Sequence, residues 1–196
     1  MTLCLLAICL VCSALLAGVY ALTAEPIAAA AVAKNEAAIK EVLPEAAVAI
    51  EEERTVEMDG QTYSYNLAYD EQGNTVGCAI NVSALGFGGP IVIKVGFNAE
   101  GLIWNTKVLS QAETPGLGAK CTEPSFSDQF KQFNPAEKSL KVKKDGGDVD
   151  AITASTITSR AYANGLAVAA NVFATIVGTP MPLDAATGSS VNNTEE

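Results

Sequence analysis

Hydrophobic and polar positions divide the chain into an apolar beginning, a middle of short alternating runs and a helical repeat near the end. Residues 1–24 contain no charged side chain and are almost continuously apolar. As a helix rising about 1.5 Å per residue, this segment would be roughly 35 Å long, enough to cross the hydrocarbon core of a bilayer. The pattern therefore predicts a transmembrane anchor over residues 1–24.

A cleavable signal peptide is the alternative, because residues 19–21 and 22–24 both resemble small-residue cleavage sites. The run is longer than a usual signal core and lacks the charged residues that precede one, which favours the anchor. Whether the native chain starts upstream of Met1 stays open. Because the residues after the anchor include few Lys or Arg, we expect the body on the non-cytoplasmic side of the membrane.

The segment 25–60 is expected to be a helical stalk or linker between the anchor and a folded body. From Pro26 to Leu43 alanine and other good helix formers dominate. Proline is favoured in the first turn of a helix, so Pro26 is expected at a helix start.

The body, residues 61–180, begins with four short runs rich in β-branched and aromatic residues, separated by turn signals. The runs are 62–69, 75–84, 91–97 and 102–109. Residues 98–101, Asn-Ala-Glu-Gly, suit a four-residue hairpin connection between the last two. Strands joined by such short turns predict an antiparallel sheet.

The rest of the body is expected to add helices to this sheet. Residues 125–133 form a short helix candidate and residues 139–144 a strand candidate. Residues 160–178 have apolar positions on a helical repeat that ends at a glycine, and their polar residues favour a helix packed in the core over a second membrane span. The predicted fold class is α+β, an antiparallel sheet backed by helices and preceded by one transmembrane helix. Residues 181–196 are expected to be a disordered tail.

Composition excludes several classes of function. The formal charge of −10 disfavours nucleic acid as a partner. The chain has no histidine, which removes Ser-His-Asp and Cys-His catalysis and histidine-ligated metals. Beyond the anchor only Cys78 and Cys121 remain, without the spacing of a zinc or dithiol site. We therefore expect no catalytic residue and no metal site in this chain.

Residues 149–161 gather five Ser or Thr side chains where a loop passes into the last helix. The free N–H groups and positive dipole end of a helix start form an anion site that suits a phosphate. A hydroxyl in the first turn could bind that phosphate or be esterified to it. Simple capping of the helix by a hydroxyl is the alternative.

A second motif, SQAETPGLGAKC over residues 110–121, follows the last predicted strand. Its PGLG turn allows backbone to approach a flat ligand closely. Glu113 can accept a hydrogen bond there, and Thr114 can donate one.

Together, the N-terminal apolar helix, the segment GFGGPIVIKVGFNAEGLIWNTKVLSQAETPGLGAK and the segment DAITASTITS resemble the RnfG family. These proteins are the G subunits of the Rnf ion-translocating electron-transport complex, related to the NqrC subunits of the sodium-pumping NADH:quinone oxidoreductase. The similarity extends from the anchor to about Val177. ETPGLG is specific to the FMN-binding domain of these proteins, and the flavinylation sequence is more specific still.

The resemblance implies that Thr156 is esterified to the phosphate of FMN by a separate, magnesium-dependent flavin transferase that uses FAD. The flavinylation pattern falls on Asp150 and on Thr153-Ala154-Ser155-Thr156, where the family commonly has Ser-Gly-Ala-Thr. Motif register favours Thr156 over Thr158 as the acceptor, and Ser155 with Thr158 is expected to line the phosphate. The isoalloxazine ring is expected against Gly88, Gly89 and the ETPGLG turn, whose residues are Glu113, Thr114, Pro115, Gly116, Leu117 and Gly118.

The function implied is electron relay through covalent FMN within the Rnf ferredoxin:NAD⁺ oxidoreductase complex, coupled to Na⁺ or H⁺ translocation. The partners implied are membrane, iron–sulfur and flavin subunits of that complex. The location implied is the inner membrane, with the soluble domain on the periplasmic side. The alternatives are an NqrC-type protein, a non-redox anchored binding module and a stand-alone flavin reductase. The last is disfavoured because no GxGxxG fingerprint for NAD is present.

Overall fold

The computed structural model describes residues 2–178 and divides the chain between Ala37 and Ala38 into two compact units. Helix α1, Thr2–Val42, supplies the first unit and the beginning of the second. From Leu5 to Val32 its large apolar side chains are exposed on all sides, a distribution that suits lipid. Among the described residues it is the one helix long and apolar enough to cross a membrane.

Pro26 lies inside α1 and not at a helix start as expected. A proline in a helix interior removes one backbone hydrogen bond and crowds the preceding turn. The residues that follow it are mostly alanines, which have the highest helix propensity, and the helix continues through them.

One antiparallel sheet forms the centre of the second unit, which confirms the predicted fold class. Its strands are β1 Ala49–Ile50, β2 Arg54–Met58, β3 Gln61–Tyr69, β4 Thr75–Leu85, β5 Pro90–Asn98 and β6 Ile103–Ser110. Their order is β1-β3-β4-β5-β6, and β2 also pairs with β3. The last four strands match the four predicted runs. The first two lie in the segment 25–60, which was expected to be stalk or linker.

The β5–β6 connection follows the prediction for residues 98–101. The Asn98 side chain accepts hydrogen bonds from the amides of Glu100 and Leu102, at 3.1 and 2.9 Å. Gly101 adopts a φ of 85°, a left-handed conformation that glycine allows without a steric cost.

Helix α3, Thr156–Val177, covers one face of the sheet and buries most of its own apolar side chains. Tyr162 is fully buried; its ring stacks on Phe130 and its hydroxyl bonds with Thr106 Oγ1 at 2.9 Å. The helix ends at Gly178, whose φ of 70° is a left-handed C-cap. The prediction of a core-packed helix in place of a second membrane span is confirmed.

The opposite face of the sheet packs a smaller apolar cluster that includes Val42 and Leu43 from the end of α1 and the residue after it. Lys94 on β5 is fully buried, with its Nζ 3.4 Å from Asn66 Oδ1. Burial lowers the pKa of its ammonium group to about 8.

The region between β6 and α3 differs from its prediction in detail. Residues 139–144 are not a strand: the chain makes a 3₁₀ turn at Lys143–Asp145, and a single parallel bridge joins Val142 to Val149. The turn closes at Gly146, with a φ of 82°, which ends any extended run. The predicted helix at 125–133 is α2 Pro124–Ser127 followed by a 3₁₀ turn at Asp128–Phe130. The tail expected at 181–196 lies outside the described residues.

Candidate functional site

A cavity of about 400 Å³ opens where three separate segments meet: the GFGGP loop after β4, the ETPGLG turn after β6, and the start of α3. Its lining combines polar groups with apolar side chains, the composition typical of a small-molecule or cofactor site. The lining residues are Phe87, Glu113, Thr114, Leu117, Gly118, Ala154, Ser155, Thr156, Ile157 and Thr158.

Hydrogen bonds to Glu113 connect the three segments. Its side chain is buried, and Oε1 accepts a hydrogen bond from the amide of Gly88 at 3.1 Å. Oε2 accepts a hydrogen bond from the hydroxyl of Thr158 at 2.9 Å. One carboxylate thus joins the glycine loop, the ETPGLG turn and the first turn of α3.

Glycines around Glu113 make this arrangement possible. A Cβ at Gly86 would lie 2.1 Å from Glu113 Oε1, and one at Gly118 would lie 2.2 Å from Oε2. A Cβ at Gly88 would lie 2.2 Å from the carbonyl oxygen of Ala112. Atoms cannot approach so closely, so larger residues at these positions would displace the carboxylate or the backbone beside it.

Helix α3 begins without a side-chain cap. Ser155 is the N-cap residue, and its hydroxyl makes no capping hydrogen bond. Ser159 instead joins the loop to the helix: its hydroxyl donates to the carbonyl of Ser155 and accepts from the amide of Ile152, both at 2.9 Å. Within residues 2–178, the first-turn amides of residues 156–158 have no acceptor, so they can bind an anion.

Hydroxyl groups in the cluster differ in what they contact. Thr158 is buried and donates to Glu113, and Ser159 is buried and engaged with backbone. Thr156 is half-buried, lines the cavity, and its hydroxyl has no hydrogen-bond partner in the described part of the chain. Of the two candidate acceptors, Thr156 therefore has the free hydroxyl.

Ala154 adopts a φ of 62°, a left-handed conformation that is unfavourable for any residue with a Cβ. The flavinylation pattern described from the sequence resemblance has glycine at this position. The loop geometry therefore supplies a physical reason for glycine there, and this chain carries a strained alanine in its place.

Other predicted site residues lie around the cavity or apart from it. Pro115 and Gly116 form the exposed outer part of the turn, and Gly89 belongs to the loop that Gly88 anchors. Asp150 and Thr153 are exposed and border a separate cavity of about 260 Å³. The Asp150 carboxylate pairs with Lys143 at 2.7 Å, and Gln129 bonds with the backbone of Asp150.

Two apolar residues at the cavity were missing from the sequence-based site. Phe87 is 71% exposed and Ile157 is 52% exposed, and both line the opening. The signal for Phe87 was an aromatic side chain inside a glycine cluster, where few neighbours can bury it. Ile157 gives no comparable signal, because an apolar residue in a first helical turn is usually buried.

The cysteines of the second unit are inert in their surroundings. Cys78 and Cys121 are both free and buried. Burial raises the pKa of the Cys78 thiol to about 12 and that of Cys121 to about 11, so neither is a thiolate at neutral pH. Residues 2–178 contain no cluster of acidic or sulfur side chains able to hold a metal ion.

The geometry defines an anchored protein with a cofactor-sized cavity, and family profiles agree with it. The FMN-binding domain profile matches residues 86–171, a span that includes all three segments of the cavity. The profile of the RnfG N-terminal region matches residues 2–42, the extent of α1.

Similar proteins with an assigned name show which family the chain belongs to. The chain is 36% identical over 160 residues to the G subunit of the ion-translocating oxidoreductase complex of Methanosarcina acetivorans, covering 80% of this chain and 84% of that protein. It is 39% identical to the protein of the same designation in Shewanella piezotolerans, over 54% of each chain. It is 33% identical to the G subunit of the proton-translocating ferredoxin:NAD(+) oxidoreductase complex of Clostridium ljungdahlii, over 55% of this chain and 60% of that one. The chain belongs to the family of G subunits of ion-translocating oxidoreductase complexes, which confirms the resemblance to RnfG.

A solved structure shares the fold. The C subunit of the Na(+)-translocating NADH-quinone reductase of Parabacteroides distasonis aligns with a TM-score of 0.50 and 21% identity, over 76% of this chain and 84% of that one. At this identity the likeness concerns the fold alone.

Proposed function

We propose that this protein is a membrane-anchored flavoprotein that relays electrons through a covalently bound FMN as one subunit of an Rnf-type complex. The observation that carries the proposal is the start of α3. An uncapped helix N-terminus and the unengaged hydroxyl of Thr156 meet at one cavity of about 400 Å³. Membership of the RnfG family and the FMN-binding domain match support the same function.

The residues around the cavity fit both the phosphate and the ring of FMN. First-turn amides of α3 and the positive end of its dipole suit a phosphate. Phe87, Leu117 and Ile157 offer apolar surface at the opening, which suits a flat aromatic ring. When bound, FMN would supply one-electron and two-electron redox chemistry, and the protein would supply position and electrostatics.

Thr156 is the proposed attachment point. Its hydroxyl oxygen would form a bond to the FMN phosphorus of FAD, the pyrophosphate bond would break, AMP would leave, and the hydroxyl proton would be released. Thr158 is a poorer acceptor because its hydroxyl is buried against Glu113. Thr153 is exposed but lies outside the cavity lining.

The flavin transferase would recognise Asp150 and Thr153 when it attaches FMN. Both side chains are exposed, so a second protein can reach them. The transferase would have to accommodate or displace Lys143, which pairs with Asp150.

The proposed partners are the membrane, iron–sulfur and flavin subunits of the complex, with relay coupled to Na⁺ or H⁺ translocation. Relay between cofactors needs no general base, in agreement with a chain that has no histidine. The apolar α1 would anchor the protein in the inner membrane with its folded unit on the periplasmic side. An NqrC-type role is the second candidate, and the fold shared with the Parabacteroides protein does not distinguish between the two roles.

Co-expression with a flavin transferase tests the attachment. The wild-type chain should show flavin fluorescence in a denaturing gel, and Thr156→Val should abolish it. Thr175→Val is the matched control, since it removes an exposed hydroxyl of the same helix outside the cavity lining, and we expect it to leave the fluorescence unchanged. A non-fluorescent wild-type band, or a fluorescent Thr156→Val band, would overturn the proposal.

A further inference from the structure

Glu113 is a buried carboxylate whose two hydrogen-bond donors are neutral. Its side chain is 6% exposed and contacts the Gly88 amide and the Thr158 hydroxyl. None of the ion pairs in the described part of the chain includes it. Burying a charge without a cation is costly.

Joining the three segments does not require that charge. A glutamine of the same length could accept from the Gly88 amide with its carbonyl oxygen and donate to Thr158 Oγ1 with its amide group. The hydrogen bonds alone therefore explain the length of the side chain at position 113 but not its negative charge.

The charge lies where it would act on an occupant of the cavity. Glu113 is part of the cavity lining, and the surrounding protein screens a charge much less than water does. Gly86 and Gly118 leave space for the two carboxylate oxygens and no more, so the charge is held in one place.

We propose that the Glu113 carboxylate lowers the midpoint potential of the flavin bound in this cavity. This inference rests on the proposed function. A fixed negative charge in the cavity lining opposes the addition of electrons to a flavin bound there, so it makes the reduced flavin a stronger donor. Glu113 would then have two roles, holding the cavity together and setting its potential.

Glu113→Gln separates these roles because it keeps the length and both hydrogen bonds and removes the charge. The full-length chain carrying covalent FMN would be titrated by spectroelectrochemistry in detergent. We expect at least a tenfold more favourable two-electron reduction in the variant, which is a rise of about 30 mV in midpoint potential. Glu123→Gln is the matched control, because it removes an exposed carboxylate ten residues away and should leave the potential unchanged.

Glu113→Asp tests the same idea from the other side, because it keeps the charge and shortens the side chain. The shorter side chain cannot reach both hydrogen-bond donors, but the potential should stay near that of the wild type. A purely structural role for Glu113 predicts the larger shift in Glu113→Asp, which disturbs the hydrogen bonds, and not in Glu113→Gln. Loss of FMN from Glu113→Gln but not from Glu113→Asp would mean that the charge serves binding, and it would overturn the proposed role.

The remaining outcomes overturn different claims. Equal potentials in the wild type and Glu113→Gln, or an equal rise in Glu113→Asp, would remove the role of Glu113 and leave the proposed function standing. Absence of covalent FMN from the wild-type chain made with its transferase would remove both.

Discussion

Replacing Gly118 by alanine should destabilise the protein by acting on Glu113. The new Cβ would lie 2.2 Å from Glu113 Oε2 and 2.6 Å from Thr158 Oγ1, so the hydrogen bond between them cannot survive unchanged. A hydrogen bond to a charged group contributes about 1.5–3 kcal/mol. Alanine recovers about 0.4–1 kcal/mol by restricting the unfolded chain. The net loss in free energy of unfolding should be about 0.5–2.6 kcal/mol.

A double-mutant cycle with Glu113→Ala tests this reasoning. In that background the carboxylate is gone, so Gly118→Ala should cost less than in the wild type, and only the contact with Thr158 Oγ1 at 2.6 Å and that with the Cβ of residue 113 at 3.0 Å remain. The assay is urea unfolding of the full-length chain, followed by fluorescence of Trp104, the only tryptophan. Gly116→Ala is the control: its φ is 78° and a Cβ there meets nothing within 4 Å, so its cost comes from backbone strain and should be the same in both backgrounds. An equal cost of Gly118→Ala with and without Glu113 would refute the reasoning.

Three further substitutions test other parts of the structure by the same unfolding assay. Ala154→Gly should stabilise the protein by about 0.5–1 kcal/mol, because it relieves the left-handed strain at a φ of 62°, and a loss of stability would contradict that geometry. Gly96→Ala should cost about 3 kcal/mol, because its Cβ would lie 1.9 Å from the carbonyl oxygen of Val42, and an unchanged midpoint would argue against that packing. Lys94→Met should raise the free energy of unfolding by about 2 kcal/mol at pH 7. Burial disfavours the charged ammonium in the folded state and lowers its pKa to about 8, while Asn66 loses only a weak partner. Between about pH 8 and 10.5 the lysine is neutral in the folded state before it is neutral in the unfolded state, so the wild type should become more stable relative to Lys94→Met as pH rises. A stability difference between the two proteins that does not change with pH would contradict the lowered pKa.

The sheet could be predicted from the sequence because its central strands alternate and its turns carry strong signals. β3 to β6 are each eight or more residues long, and Asn98 and Gly101 mark the last hairpin. β1 is only two residues long, and β2 follows a run of three glutamates, so neither has a pattern that a periodicity argument can use.

The cavity was predicted in part. Its motifs were visible, because glycine clusters and a hydroxyl-rich helix start are local in sequence. The role of Glu113 was not visible, because its partners lie 25 and 45 residues away along the chain. Which hydroxyl is engaged and which is free likewise depends on how α3 packs against the turn, which spacing alone does not determine.

The central claim is that Thr156 carries FMN through its phosphate. Trypsin cuts after Lys144 and Arg160, so one peptide, residues 145–160, contains Thr153, Thr156 and Thr158. Fragmentation of that peptide by mass spectrometry, from a chain made together with its flavin transferase, can locate the modification. We expect the mass of FMN minus water on Thr156. The same mass on Thr153 or Thr158, or a wholly unmodified peptide, would contradict the claim.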